Sequence, residues 1–408
     1  MRYTLLCTLV SSLVLLTACL DSAAPKDLLD GTVLGTTTAG QETAPPAAAP
    51  PAEGTSANGQ ITLAQDSRLV LHGALQAAGT YQVFDLGSGQ AGDLWTAAPL
   101  RMTGSFVAVL FDADYNLLMR RNLIDGSSLV HVLRAPTPQV RLAVAPVAGG
   151  PGGEFRIELV REAGFPVPAP AGQVVWLNFG GAGDVRVHRR SGLSFPPFDA
   201  AVLGEAYAGH SAEIKRAILE AVRADYAAFN ITILSSDDGP PPAEPHTVVH
   251  FGGSDQALLG LADSIDSYNQ IQTQNAIVFV DSFRAYHTMK LSPEQMAVMI
   301  ANVASHELGH LLGLHHTRRG DDLMDTTGTA WDLAGDQSFG RAPLDTSVFP
   351  IGMEDSPQLL MQTLGPGSPA AKEAARAAAR KLSAHTWLRR FAEHEMRHAC
   401  GTCLHLDN

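Results

Sequence analysis

Five residues in the stretch "HELGHLLGLHH", 306–316, have the types and spacing to hold a metal ion and to use it. His306 and His310 are four residues apart, so on a helix their rings project from one face and can grip a single cation. Glu307 stands beside the first ring, close enough to reach a water on that cation without being a ligand itself. Zinc draws the pKa of such a water toward neutral, and a neighbouring carboxylate can take its proton as the water attacks a carbonyl carbon. Gly313 can adopt the left-handed conformation that ends a helix, turning the chain so that His316 meets the ion from another side. His315 lies one place off that register, and the motif spacing favours His316 over it as the third ligand.

The chain spells the first part of this pattern again in "HEMRHACGTC", 394–403, with His394, Glu395 and His398. With 15 His in 408 residues, a bare HExxH arises by chance in roughly 2% of chains of this composition, whereas the added Gly and third His lower that to about one in ten thousand. The first copy needs a cause and the second does not. In the second copy Gly401 is in place, but Leu404 stands where a third ligand would be. Two readings of this tail stay open: a separate structural zinc site on His394, His398, Cys400 and Cys403, or a Cys400–Cys403 disulfide beside exposed histidines. The second is favoured for an exported chain, whose CxxC pair has no other partner.

The first motif needs a helix beneath it. Ser292 with Gln295 forms a capping-box pattern and Pro293 suits the first helical position, so a helix starts there and runs into His306. Ahead of it lie strands at 173–179, 247–251, 258–265 and 275–280, with a helix over 211–229 on which Ile214, Ile218, Val222 and Phe229 recur near helical spacing. The full pattern His306, Glu307, His310, Gly313 and His316 resembles the metzincin metallopeptidases. That family carries a methionine turn beneath its zinc, and Met324 follows His316 by eight residues in "DDLMDTT". The resemblance implies one catalytic Zn2+ on His306, His310 and His316, Glu307 as general base, and a twisted sheet with backing helices above a cleft. It also implies that the segment "GLADSI", 260–265, is the edge strand that pairs with extended peptide substrate. The sequence departs from named branches at Thr317, after the third histidine, and at Thr326, where some members carry a metal-binding tyrosine. No PRCGxxD-type inhibitory cysteine segment is present.

The expected organisation is multidomain: an N-terminal antiparallel β-sandwich, then an α+β metzincin-like zinc peptidase domain with a C-terminal helix. Residues 58–163 alternate in short runs such as "TYQVFDL", "VRLAVAPV" and "EFRIELV", the spacing of a sandwich. Their strand pattern resembles the pre-peptidase modules of secreted bacterial proteases. Asp112, Asp114 and Asn116 begin like a calcium loop, but Leu117 and Leu123 occupy the places of its Gly and Glu, so a strand-to-strand turn is expected. A Pro-rich joint, 164–172, precedes the peptidase region, 173–365, and an Ala/Arg-rich helix follows within 366–408.

The first eighteen residues read as an export leader, with Arg2 ahead of an apolar run. Leu16-Thr17-Ala18-Cys19 resembles a bacterial lipobox, which implies cleavage after Ala18, a lipid on Cys19 and anchoring to the cell envelope. In a Gram-negative cell, Leu20 after the cysteine favours the outer membrane. Residues 19–57, rich in Ala, Pro, Thr and Gly, cannot bury enough apolar surface to fold and read as a tether. The net charge of −13 argues against a nucleic-acid partner. The partners expected are a protein or peptide substrate and the membrane; the composition is silent on oligomeric state. The rival reading is a binding lipoprotein whose peptidase fold has lost turnover; a missing ligand or Glu307 would mark it, and all four residues are present.

Overall fold

The structure, a computed structural model, describes residues 66–76, 79–124 and 126–369, together with Ala64 and the backbone of Ala52–Gly54. The segment that resembles a lipobox with Cys19, most of the stretch expected to form the C-terminal helix, and His394, His398, Cys400 and Cys403 lie outside the described residues. Those described fall into two compact units.

The first unit runs to Pro168 and also takes in Thr346–Met353. A five-stranded sheet is ordered Ala52–Gly54, Ser67–Leu75, Gly153–Glu162, Leu94–Met102, Leu129–Val132, and a four-stranded sheet Gln82–Asp85, Arg141–Pro146, Phe106–Phe111, Leu117–Leu123. Alternate residues of both sheets, among them Leu71, Trp95, Ile157, Phe106, Leu110 and Leu142, enter one apolar cluster. Ala52–Gly54 falls in the stretch read as a tether, yet pairs in parallel with Leu69–Leu71, because a ladder needs backbone groups and no apolar side chains. The Asp112 turn forms as expected: its carboxylate accepts the backbone N–H groups of Asp114 and Asn116 at 2.8 Å each. Residues 346–353 were assigned by sequence to the peptidase region. In the structure Val348 and Phe349 are buried in the two-sheet unit. Phe349 meets Phe111 edge-on at 5.8 Å, and the Val348 carbonyl accepts from Arg120 Nε at 3.0 Å.

The second unit holds Ala169–Asp345 and the described residues from Glu354 onward. Its five-stranded sheet is ordered Ile231–Ser235, Gln173–Asn178, Thr247–Phe251, Asn275–Val278, Gly260–Ala262. The first four strands are parallel; Gly260–Ala262 is the antiparallel edge. The strand expected over 258–265 is thus only three residues long, because Asp263 ends the ladder and the Asp266 carboxylate folds the following loop onto the Ile271 N–H and the Gln274 amide. Helices Ser211–Asp225 and Pro293–Leu311 pack together on one face of the sheet. The hairpin Ala182–Val187 with Arg190–Phe195, which periodicity did not reveal, covers Leu261, Ile277 and Phe279 on the other face.

The helix expected over 211–229 ends at Asp225, since Tyr226 turns inward to donate its hydroxyl to the Ser305 carbonyl at 2.7 Å. The helix Pro293–Leu311 starts where its cap signals put it. Ser292 Oγ accepts the Gln295 N–H, and the Gln295 side chain accepts the Ser292 N–H. From Met296 to Leu311 every residue of this helix is buried, so its register is set by packing and its start by the cap. Ser292→Ala should therefore cost about 1 kcal/mol of stability without altering metal stoichiometry, as denaturant unfolding beside metal quantification would show.

Candidate metal centre

His306 and His310 sit on the last turns of the Pro293–Leu311 helix, and His316 follows a tight turn. His306 Nδ1 lies 2.7 Å from the Leu323 carbonyl, and His310 Nδ1 lies 2.9 Å from the Leu314 carbonyl. A carbonyl oxygen can only accept, so each Nδ1 carries the proton and each neutral ring presents a bare lone pair on Nε2. Those lone pairs converge. His310 Nε2 is 3.0 Å from His306 Nε2 and 3.1 Å from His316 Nε2.

Bare acceptors at that separation repel unless a positive charge lies between them. A proton is a poor candidate, because burial pushes the His306 pKa down to about 4. Burial, reinforced by the neighbouring histidines, holds His310 and His316 well below the usual histidine range. A tetrahedral zinc with Zn–N of about 2.0–2.1 Å would place its nitrogens about 3.3 Å apart, within a few tenths of an ångström of this arrangement. The three side chains are the metal-capable group found among the described residues, and they fit the ion. The ring of His315 is directed elsewhere: its Nδ1 lies 3.7 Å from Glu354 Oε2. The structure thus brings His316, and not His315, to the other two rings.

Two glycines shape this centre in ways the motif explains. Gly313 has φ +96°, and a Cβ there would lie 2.9 Å from Asp266 O, Ser267 Cα and Tyr268 N. Both its left-handed backbone and the loop against it exclude a side chain. A Cβ on Gly309 would lie 2.7 Å from Met324 Sδ, so the bare helix surface there is what lets the buried Met324 pack against the helix beside His310.

Glu307 is buried beside the triad, and loss of solvent pushes its carboxyl up to about 8. Its carboxyl lies against the edge strand. A Cβ on Gly260 would stand 2.5 Å from Glu307 Oε1 and 2.6 Å from its Cγ. Sequence reasoning passed over Gly260, although an isolated glycine in a strand pattern marks close approach of another group. It also passed over Asp322. That buried carboxylate accepts the Met324 N–H at 2.9 Å, the Thr317 hydroxyl at 3.1 Å and the Gly340 N–H at 3.1 Å. Burial raises its pKa to about 6 against the pull of these donors. Thr317, a departure from named branches, is thereby tied to the methionine turn, and its N–H also donates to the Met324 carbonyl at 2.8 Å. The available signal was an Asp two residues before Met324, a spacing at which Asp side chains bond their own backbone.

Residues 236–335 match the family model of the matrixins, a peptidase family. The match covers about a quarter of the chain and includes the edge strand, all three histidines, Glu307 and Met324. No curated protein matches the chain. Among solved structures, archaemetzincin from Methanopyrus kandleri is 10% identical with TM-score 0.23, covering 53% of this chain and 98% of its own. The periplasmic inhibitor of g-type lysozyme from Aeromonas hydrophila is 12% identical with TM-score 0.21, covering 27% of this chain and 100% of its own.

The centre makes a direct demand on metal binding. Wild type should take up one zinc per chain at the triad; His306→Ala, His310→Ala and His316→Ala should each abolish high-affinity uptake, while His315→Ala should retain it. Zinc quantification after dialysis against a weak chelator checks this, and uptake unchanged in His310→Ala would mean the ion lies elsewhere.

Proposed function

We propose that this chain is an exported zinc endopeptidase of metzincin type, anchored to the cell envelope through a lipid on Cys19, with the two-sheet unit as the expected β-sandwich module. The observation that carries the reading is the convergence of three imidazole Nε2 atoms beside the buried carboxyl of Glu307. All four residues fall inside the stretch that matches the matrixins.

Zinc held by His306, His310 and His316 would supply Lewis-acid polarisation of a carbonyl and a water of lowered pKa. The chain supplies the rest. The Leu323 and Leu314 carbonyls fix the tautomers of His306 and His310 and raise their basicity as ligands. Glu307, with its proton affinity raised by burial, is matched to accept a proton near neutral pH and return it to a leaving amine. A bound cation would draw its pKa back down, toward the range where it is ionised at pH 7. Gly260 leaves the space that this carboxyl occupies. The edge strand Gly260–Ala262 pairs on one side with Asn275–Val278; its other side is the place for an extended peptide to add as a further strand.

Glu307→Gln should keep one zinc per chain and lose at least roughly a hundredfold in peptide hydrolysis, the lower scale of general-base catalysis. Gly260→Ala should also keep zinc and lower kcat, because its new methyl displaces the Glu307 carboxyl. Near-normal turnover of a metal-loaded Glu307→Gln protein, assayed on a peptide library, would remove Glu307 from the mechanism. For the anchor, Cys19→Ala should shift the protein out of the membrane fraction, and unchanged membrane partition would count against the lipid.

A further inference from the structure

The segment that presents His316 has left the helix, and the Leu314 N–H ties it back by donating to the Gly309 carbonyl at 2.9 Å. Its other polar groups are held one by one. The Leu314 carbonyl accepts from His310 Nδ1, the His316 carbonyl accepts the Asp345 N–H at 2.9 Å, and the Thr317 N–H donates to the Met324 carbonyl. A further grip comes from a distant side chain. Glu354 Oε1 accepts the His315 N–H at 2.9 Å, across 39 residues of sequence.

Several features single out this contact. Glu354 is wholly buried, and its other oxygen, Oε2, has no hydrogen-bond partner there. The His315 ring nitrogen nearest to it stands off at 3.7 Å, too far for a hydrogen bond, so the carboxylate holds the backbone and not the ring. Burying a carboxylate is costly unless its hydrogen bonds repay the desolvation. One hydrogen bond to the amide next to a metal ligand is a specific return for that cost. Glu354 is also placed by its own element, in the strand Met353–Asp355 that leads into the helix Ser356–Leu364, where Asp355 caps the Gln358 N–H at 3.0 Å.

We propose that Glu354 is a positioning residue for the third metal ligand: its carboxylate fixes the His315 peptide so that His316 Nε2 completes the triad. The inference rests on the reading of the triad as a zinc site. It predicts that the grip is on ligand geometry as well as on stability, so its effect appears in metal affinity and in the ligand field.

The test is zinc affinity by competition with a chromophoric chelator, together with the visible absorption of the Co2+-substituted protein, for wild type, Glu354→Gln, Glu354→Asp and Glu354→Leu. Glu354→Gln keeps a carbonyl oxygen for the His315 N–H and should stay within about threefold of wild type. Glu354→Leu should weaken zinc by about 10–100-fold, the usual effect of removing a group that orients a ligand, with altered Co2+ bands. Ser356→Ala, in the same buried region, controls for stability: it should change the melting temperature and leave affinity alone. Should Glu354→Leu fail to fold, Glu354→Asp, which withdraws the carboxylate by one methylene, should weaken zinc by about tenfold or less but measurably. Wild-type affinity and spectrum in the folded Leu variant, or in the Asp variant where Leu does not fold, would overturn the proposal. His306→Ala separates the two levels of the argument, because zinc binding unaffected there would refute the zinc site itself and leave Glu354 no ligand to position.

Discussion

Three imidazole nitrogens converging on one point in a buried place are the constraint on which the rest of this unit depends. For His306 and His310, whose protons sit on Nδ1, two bare acceptors facing each other in a buried place cost free energy, since each has lost its hydration. Burial then removes the easy remedy by holding the rings neutral. A cation turns the same geometry into its most favourable interaction. The surrounding chain keeps the rings from relaxing apart: carbonyls that pin the Nδ1 protons of His306 and His310, a helix buried from Met296 to Leu311, and a methionine packed against Gly309 of that helix.

Space is as important as bonding. Gly309, Gly313 and Gly260 each stand where a methyl group would strike a neighbour at 2.5–2.9 Å, respectively Met324, the Asp266–Tyr268 loop and Glu307. One lets the helix sit on the methionine, one lets the chain turn back, and one lets the carboxyl lie against the edge strand. The acidic residues do complementary work. Asp322 gathers Thr317, Met324 and Gly340, and Glu354 holds the His315 amide.

The approach of the three rings was legible because helical spacing converts directly into a shared face, and Gly313 into a turn. The start of the supporting helix was legible because Ser292, Pro293 and Gln295 act within one turn. The parts that were not legible arise from contacts between residues distant in sequence. Glu354 lies 39 residues from the amide it holds, and Gly260 becomes meaningful only once the sheet edge meets the helix. The strand around Gly260 was overextended because "LLGLADSI" is apolar enough for a longer one, whereas Asp263 and Asp266 turn the chain through side-chain bonds that periodicity does not encode. For the same reason the segment 346–353 was placed with its sequence neighbours, though Val348 and Phe349 bury themselves in the two-sheet unit.

Zinc-edge X-ray absorption on protein loaded with one equivalent of the ion tests the central claim most directly. The account predicts imidazole scattering from three nitrogens at about 2.0–2.1 Å with a light atom in the fourth position and no sulfur. A sulfur shell near about 2.3 Å would place the ion on Cys400 and Cys403 instead, and would contradict the assignment of His306, His310 and His316.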